Sequence, residues 1–400
     1  MIALMTTQRS VAYVIGAVIF IGAAFFIVSQ MVKGRAELGS EIELAPNRKQ
    51  YLPDEELEGP KLNAALWSAF GLLIIVALSL PLVWLGEPGR EEGARKDFLH
   101  TFEHRGELLY SEGAQCVKCH GPEGSGGAAS FVITDENGKY VDTVNWTAPA
   151  LDTLMYRFSK AEVMDILNYG RPGTPMPAWG VVGGGPNTVQ QLNNVIEYLW
   201  TVQLSPEEVR KRVDEAVAGI DADLAERMIA TREANAANAN VIDGNSEEFE
   251  RLSIADELQL GEILFSLKGD SVGGNAFNCS RCHVAGDSYG KPWESIDTIA
   301  RGRFGPDLVG IEQNLTEKQH YALVFTGSEA GKQYGASNIG SGRMPGFGVN
   351  ANNGATDDRR KFGPAGIYSP EQIWAIVTYE RNLSAVRAGA ASGSSKDGGQ

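Results

Sequence analysis

The chain is poor in cysteine and histidine: its 400 residues hold four Cys and five His. That is too little sulfur for a disulfide scaffold or a cysteine-rich zinc protein. Positive charge is scarce as well, with 35 Lys and Arg against 50 Asp and Glu and a formal net charge of -15. A binder of phosphate backbones needs clustered cations to displace counterions, so nucleic acid is excluded as a partner. Glycines 183 to 185 lack the strand-to-helix context of a phosphate-binding turn, and no small-molecule substrate site is legible in this chain. Hydrophobic residues at 43% and a mean hydropathy of -0.17 resemble an ordinary soluble protein. The average conceals segregation.

Two long charge-free runs lie near the start, Val11 to Val32 and Leu62 to Gly86. About 20 apolar residues cross a hydrocarbon core, so both are expected to span a membrane as helices. The first is longer than a signal-peptide core and ends on Lys33, Gly34 and Arg35 rather than on a cleavage site. Trp67 and Trp84 fit interfacial belts at the ends of the second. The loop 33–61 carries Lys33, Arg35, Arg48, Lys49 and Lys61, whereas only Arg9 precedes the first span. The positive-inside rule therefore places that loop in the cytoplasm and both termini outside in the cell membrane, the N-terminal segment 1–10 included.

Beyond the spans the sequence reads as two globular segments, 99–204 and 258–387, joined by a connector over 205–257 and followed by a tail over 388–400. The connector holds 14 acidic and 6 basic residues. Its Ser205-Pro206-Glu207-Glu208 start predicts a helix, and its charge predicts a solvated, extended joint. The Gly-, Ser- and Ala-rich tail predicts disorder. Phe131 to Val144 alternates around Asn137-Gly138 and predicts a small hairpin flap.

The two segments repeat one another. Gly106-Glu107-Leu108-Leu109-Tyr110 precedes Cys116-Val117-Lys118-Cys119-His120, and Gly261-Glu262-Ile263-Leu264-Phe265 precedes Cys279-Ser280-Arg281-Cys282-His283. A Met-Pro pair follows in each (Met176-Pro177, Met344-Pro345), then an apolar helical stretch (Leu192 to Val202, Pro370 to Leu383). Cys-x-x-Cys-His is the attachment signal for c-type haem, in which both thiols add to the haem vinyls and the His ligates iron. With cysteine and histidine this rare, a chance occurrence is on the order of 10^-3 or less. Two copies use every cysteine: Cys116, Cys119, Cys279 and Cys282 are expected to attach two haem c groups. A redox dithiol would not need the His, and a zinc ribbon would use both pairs together.

His120 and His283 are the expected proximal iron ligands. The sixth ligands are expected to be Met176, in a Pro-rich loop, and Met344, the only methionine after Met228. Met155 and Met164 sit at apolar helical positions and read as packing. Pro149 and Pro306 are placed to offer carbonyls to the two histidines, with Leu151 and Leu308 packing on the haems. His100 and His104 make a weak metal pair, and His320 reads as a satisfied or surface histidine.

These residues resemble class I cytochrome c domains, in tandem behind a two-span anchor. The resemblance implies an all-α fold of short helices around each haem, with no catalytic acid, base or nucleophile. It implies electron transport in a respiratory chain, between a quinol-oxidising bc-type complex and a terminal oxidase, with the haem domains on the outer, periplasmic side where haem c is attached. Two other functions fit the same motifs: the cytochrome subunit of a periplasmic dehydrogenase, and a di-haem peroxidase. A Gly-to-Cys insertion, Lys268 to Phe277, sets the second segment apart from the family pattern.

Overall fold

The computed structural model describes residues 7–36, 53, 59–134, 137–171, 174–241, 243–266, 279–284, 305–328, 343–353 and 363–394. The insertion Lys268 to Phe277 lies outside these residues, as do most of the loop 33–61 and the last six residues. The chain divides into two compact units, Met1–Arg90 and Glu91–Gln400.

The described residues of the first unit are almost all helical. α1 (Thr7–Ala36) contains the first apolar run and α2 (Pro60–Leu108) begins with the second. Among the described residues one helix is long and apolar enough to cross a membrane, Pro60–Glu87, and none of it is buried; the described apolar part of α1 is the shorter Ala17–Ser29. A helix of that length extends roughly 40 Å, ample for a hydrocarbon core.

The second unit is mostly helical. Past the end of α2, a one-turn helix α3 (Val117–His120) holds the first Cys-x-x-Cys-His motif. The hairpin then forms with longer arms than the alternation suggested, β1 (Gly127–Thr134) pairing antiparallel with β2 (Tyr140–Ala148). Gly138 at its turn has a left-handed φ of 77°. Val144, Trp146 and Ala148 point inward at period two, and Trp146 packs edge-on against Phe131 at 5.4 Å. This is the only sheet among the described residues, and it qualifies the all-α expectation.

α4 (Leu154–Arg157), α5 (Lys160–Tyr169) and α6 (Val189–Thr201) complete the first segment. Capping boxes start both longer helices, Ser159 with Glu162 and Thr188 with Gln191. The end of α2 crosses α6 at Gly106, where a β-carbon would stand 1.9 Å from the Asn194 carbonyl oxygen. Only glycine allows that approach. Tyr110 and Tyr198 then meet at 5.2 Å, above a core of Met155, Tyr156, Leu192, Leu199 and Trp200.

The same crossing recurs further on. α9 (Ile254–Phe265) meets α12 (Pro370–Arg381) at Gly261, where a β-carbon would lie 2.2 Å from the Ala375 carbonyl oxygen, and Phe265 and Tyr379 meet at 5.3 Å. Between them lie α10 (Ser280–His283), carrying the second motif, and α11 (Glu317–Thr326).

The connector departs from its expected extended, solvated form. Ser205 caps α7 (Pro206–Ile220), and Asp221 caps α8 (Ala222–Ala237). Val209, Val213, Val217, Leu224 and Met228 are buried, because their spacing makes one apolar stripe among the charges. Arg232 donates to Asp214 and to Glu371, tying α8 to α7 and α12. The tail also departs from expectation: α13 (Leu383–Ser394) runs through its first residues, consistent with a segment rich in alanine, the best helix former.

Candidate haem sites

Each Cys-x-x-Cys-His motif folds as a single helical turn, with His120 N–H bonded to the Cys116 carbonyl at 2.9 Å and His283 N–H to the Cys279 carbonyl at 3.0 Å. A turn brings both thiols and the imidazole to one side, as attachment of a planar macrocycle requires. The four cysteines form no disulfide. Burial pushes the Cys116 thiol up to about 11 and raises Cys279 well above its ordinary value. Redox dithiols need the opposite shift, so Cys116 and Cys279 lack the thiolate character of a thioredoxin-like centre. Among the described residues no group of three or more His, Cys, Asp or Glu is gathered to hold a metal ion.

The two histidines share one geometry. His120 Nδ1 lies 2.8 Å from the Pro149 carbonyl oxygen, and His283 Nδ1 lies 2.9 Å from that of Pro306. A carbonyl only accepts, so each Nδ1 carries the proton and each Nε2 keeps its lone pair for a metal. Burial, followed by the nearby Arg281 charge, lowers the His120 pKa despite the opposing Pro149 bond, which favours the neutral ligand form. Gly305 makes the second contact possible: a β-carbon there would lie 2.7 Å from both Nδ1 and Cε1 of His283. Leu308 is buried in the core beyond Pro306. Leu151 is partly buried, its N–H bonded to Gly124 and its carbonyl accepting from Gln203, both at 2.7 Å.

The methionine loops are held by a second shared device that sequence reading missed. α5 ends at Gly170 and α11 at Gly327, with φ of 67° and 80°, conformations that favour glycine. A β-carbon on Gly170 would lie 2.6 Å from the Met176 carbonyl oxygen, and one on Gly327 the same distance from that of Met344. Each loop therefore lies against the end of a capped helix. Arg171 N–H donates to the Met176 carbonyl at 3.0 Å; Ser328 N–H donates to that of Met344 at 3.0 Å, and Met344 N–H to the Ser328 hydroxyl at 2.9 Å. The signal was present in sequence: Ser159-x-x-Glu162 and Thr316-x-x-Gln319 open the two helices and a glycine closes each. Met176 and Met344 are both partly buried against the core, whereas Met155 is wholly buried packing and Met164 is partly buried packing.

The remaining histidines take no part. His104 lies 3.6 Å from Glu107 in an exposed pair. His320 is buried, its Nε2 2.8 Å from Glu380.

The two segments touch directly. Arg343, beside Met344, donates to both carboxylate oxygens of Glu162 (2.5 and 3.0 Å) and to the Arg157 carbonyl at 2.9 Å. Asn352 donates to the carbonyls of Met155 and Phe158, and Ala351 N–H to that of Tyr156. Arg281, between the cysteines of the second motif, donates to the Thr147 carbonyl at the end of β2 at 3.0 Å.

No curated protein and no solved structure matches the chain. Residues 103–199, about a quarter of the chain, match the family model described as cytochrome C oxidase, cbb3-type, subunit III. They contain the first motif, Pro149 and Met176, and the match supports a c-type cytochrome domain, with the covalently bound haem c and electron transfer that such a domain implies.

Proposed function

We propose that the chain is a membrane-tethered di-haem cytochrome c that relays electrons in a respiratory chain, from a quinol-oxidising bc-type complex to a terminal oxidase. The observation behind this reading is the recurrence, in a second segment, of what the cytochrome domain contains: an attachment turn, an imidazole donating to a proline carbonyl, a methionine loop lying on a capped helix, and a glycine-dependent helix crossing. In this reading Cys116 and Cys119 hold one haem and Cys279 and Cys282 the other. His120 with Met176, and His283 with Met344, are the axial ligands, and Pro149, Leu151, Pro306 and Leu308 complete the pockets.

Bound haem c would supply a reversible one-electron couple. The chain's own residues orient the imidazoles through Nδ1 and hold the methionines on rigid loops; no side chain needs to move a proton. The two apolar runs of Val11 to Val32 and Leu62 to Gly86 would anchor the chain with its haem segments outside the cytoplasmic membrane.

A pyridine haemochrome assay on the purified full chain tests this first, with two haems per chain expected and one refuting the di-haem reading. A Met-to-iron charge-transfer band is expected from both haems; its absence from both would remove the methionines as ligands. Mild-detergent co-purification with a b-type cytochrome supports the proposed partners, and co-purification with a quinoprotein or flavoprotein overturns them in favour of a dehydrogenase.

A further inference from the structure

The two methionine loops are held differently. Around Met176, among the described residues, the bonds close within one segment: Met176 N–H donates to the Thr174 hydroxyl at 3.2 Å, that hydroxyl to the Arg171 carbonyl at 2.7 Å, and Arg171 N–H back to the Met176 carbonyl at 3.0 Å. Met344 has a matching pair of bonds with Ser328, and a further set that leaves its segment. Arg343, one residue earlier, donates through Nε and Nη2 to the two Glu162 carboxylate oxygens and through Nη2 to the Arg157 carbonyl. On the other side of the loop, Ala351 N–H and the Asn352 amide donate to the carbonyls of Met155, Tyr156 and Phe158. Residues 155–162 of the first segment thus grip the chain both before and after Met344.

Glu162 is a stiff anchor for this grip. Its Oε2 also accepts from the Ser159 N–H at 2.8 Å and from the Ser159 hydroxyl at 2.9 Å, closing the capping box of α5. A carboxylate fixed at a helix start has little rotamer freedom left to lose when an arginine docks on it. The pair with Arg343 is a two-point contact whose side chains are only 14% and 24% exposed, so water competes weakly for it. α5 therefore serves both loops: its last turn lies under Met176 through Gly170, and its first turn holds Arg343.

We propose that Glu162 is a positioning residue for the second iron site: through Arg343 it keeps Met344 in place as sixth ligand, so that the second site is complete only when the first segment is packed against it. The proposal rests on the di-haem reading above, with Met344 as a ligand. Side chains that orient a metal ligand without touching the metal are worth roughly ten- to hundredfold in metal affinity or activity. The lower end applies to Glu162, because the Ser328 bonds keep their hold on Met344 when Arg343 is released.

The test is a titration of the oxidised, detergent-solubilised full chain with imidazole. An imidazole nitrogen binds the iron as the methionine sulfur leaves it, so a loosened methionine raises the apparent imidazole affinity. Loss of the Met-to-iron band follows the exchange, and the second haem is the signal absent from Cys279→Ala/Cys282→Ala. Glu162→Gln is the principal variant: glutamine closes the capping boxes of α6 and α11, so the helix start survives, and the Arg343 charge stays in place. Imidazole should bind the second haem about tenfold more tightly in Glu162→Gln and in Arg343→Gln, with the first haem unchanged. Arg343→Lys, which keeps the charge but not the planar fork, should fall between. The double variant Glu162→Gln/Arg343→Gln should exceed neither single by more than twofold. If Glu162→Gln does not assemble, Arg343→Gln, which leaves the α5 cap untouched, decides alone. Two haems per chain with an unchanged second affinity overturn the positioning role and leave the di-haem reading standing. An equal rise at both haems assigns the pair to general stability and overturns it likewise. A parent chain whose second haem lacks the Met-to-iron band removes Met344 as a ligand and the role of Glu162 with it, and fewer than two haems refute the di-haem reading itself.

Discussion

Gly305→Ala isolates the contact that orients the second imidazole. The added carbon would stand 2.7 Å from Nδ1 and Cε1 of His283. Carbon and nitrogen atoms pack without repulsion only from roughly 3.5 Å, so the ring must withdraw by about 1 Å unless the backbone retreats. The backbone is pinned by the Gly305 N–H bond to the Cys282 carbonyl at 2.8 Å. A withdrawal of that size takes Nδ1 from 2.9 Å to beyond hydrogen-bond range of the Pro306 oxygen. A bond of this kind is worth about 1 kcal/mol, and it makes the imidazole a stronger donor to its metal, favouring oxidised iron. On the proposed di-haem reading, its loss should raise the potential of the second haem, by at most about 40 mV if the whole bond energy differs between oxidation states. The first haem is the internal control, since Gly305 is far from His120 in sequence and Pro149 orients that ring independently. Potentiometric titration with optical readout measures both couples in one sample. A second couple that stays put or falls, with both haems attached, would refute the argument that the Nδ1 bond tunes this site.

Gly170→Ala places a side chain at φ 67°, with its β-carbon 2.6 Å from the Met176 carbonyl oxygen, and should displace that loop; loss of the first haem's Met-to-iron band is the expected result, with Gly327→Ala doing the same to the second. His320→Leu leaves Glu380 buried without its partner at 2.8 Å and should destabilise the chain by roughly 3 kcal/mol, read as a lowered midpoint in chemical denaturation, with His320→Leu/Glu380→Leu recovering part of the loss. Burial works to raise the Glu162 carboxyl, but the Arg343 guanidinium and Ser159 outweigh it and hold the pKa below the ordinary carboxylate value. A lowered native value means that the stability from this contact is complete above the unfolded pKa of about 4.3 and lost as pH falls through the native value. The protection factor of the Ala351 amide, which donates to Tyr156 across the same contact, should fall on acidification once the intrinsic exchange rate at each pH is divided out, and Glu162→Gln should remove most of that pH dependence.

What was legible in the sequence was whatever local chemistry dictates. Cys-x-x-Cys-His needs only one helical turn to bring its groups together, and a proline carbonyl downstream of each motif meets an imidazole in the fold. Ser205 before Pro206 is a cap in sequence and in structure. What was not legible depends on tertiary partners or on a signal submerged in composition. Val209, Val213 and Val217 recur every four residues, yet the surrounding acids dominate any average, so a folded helical pair reads as a solvated joint. Arg157 sits in sequence between Tyr156 and Phe158 with nothing to mark it, and becomes distinctive only because another segment closes over it. Gly106 and Gly261 were read as parts of a repeat, but the reason for them is a carbonyl on a helix far along the chain.

On the proposed di-haem reading, the folded connector bears on how the two segments would exchange electrons. A flexible joint of some fifty residues would let its ends wander at a root-mean-square separation of roughly 40 Å, and exchange would wait on encounter. Here α7 and α8 pack into the core, Arg232 binds α8 to Glu371 of α12, and Arg343, Ala351 and Asn352 bond the second methionine loop and its neighbours to residues 155–162. The separation of the two sites is then a property of the fold, and exchange between them is intramolecular and independent of protein concentration. Rapid one-electron photoreduction followed over a tenfold dilution series should give a constant internal rate. A rate that falls on dilution would mean that electrons pass between chains, and that the hydrogen bonds across residues 155–162 do not set the path.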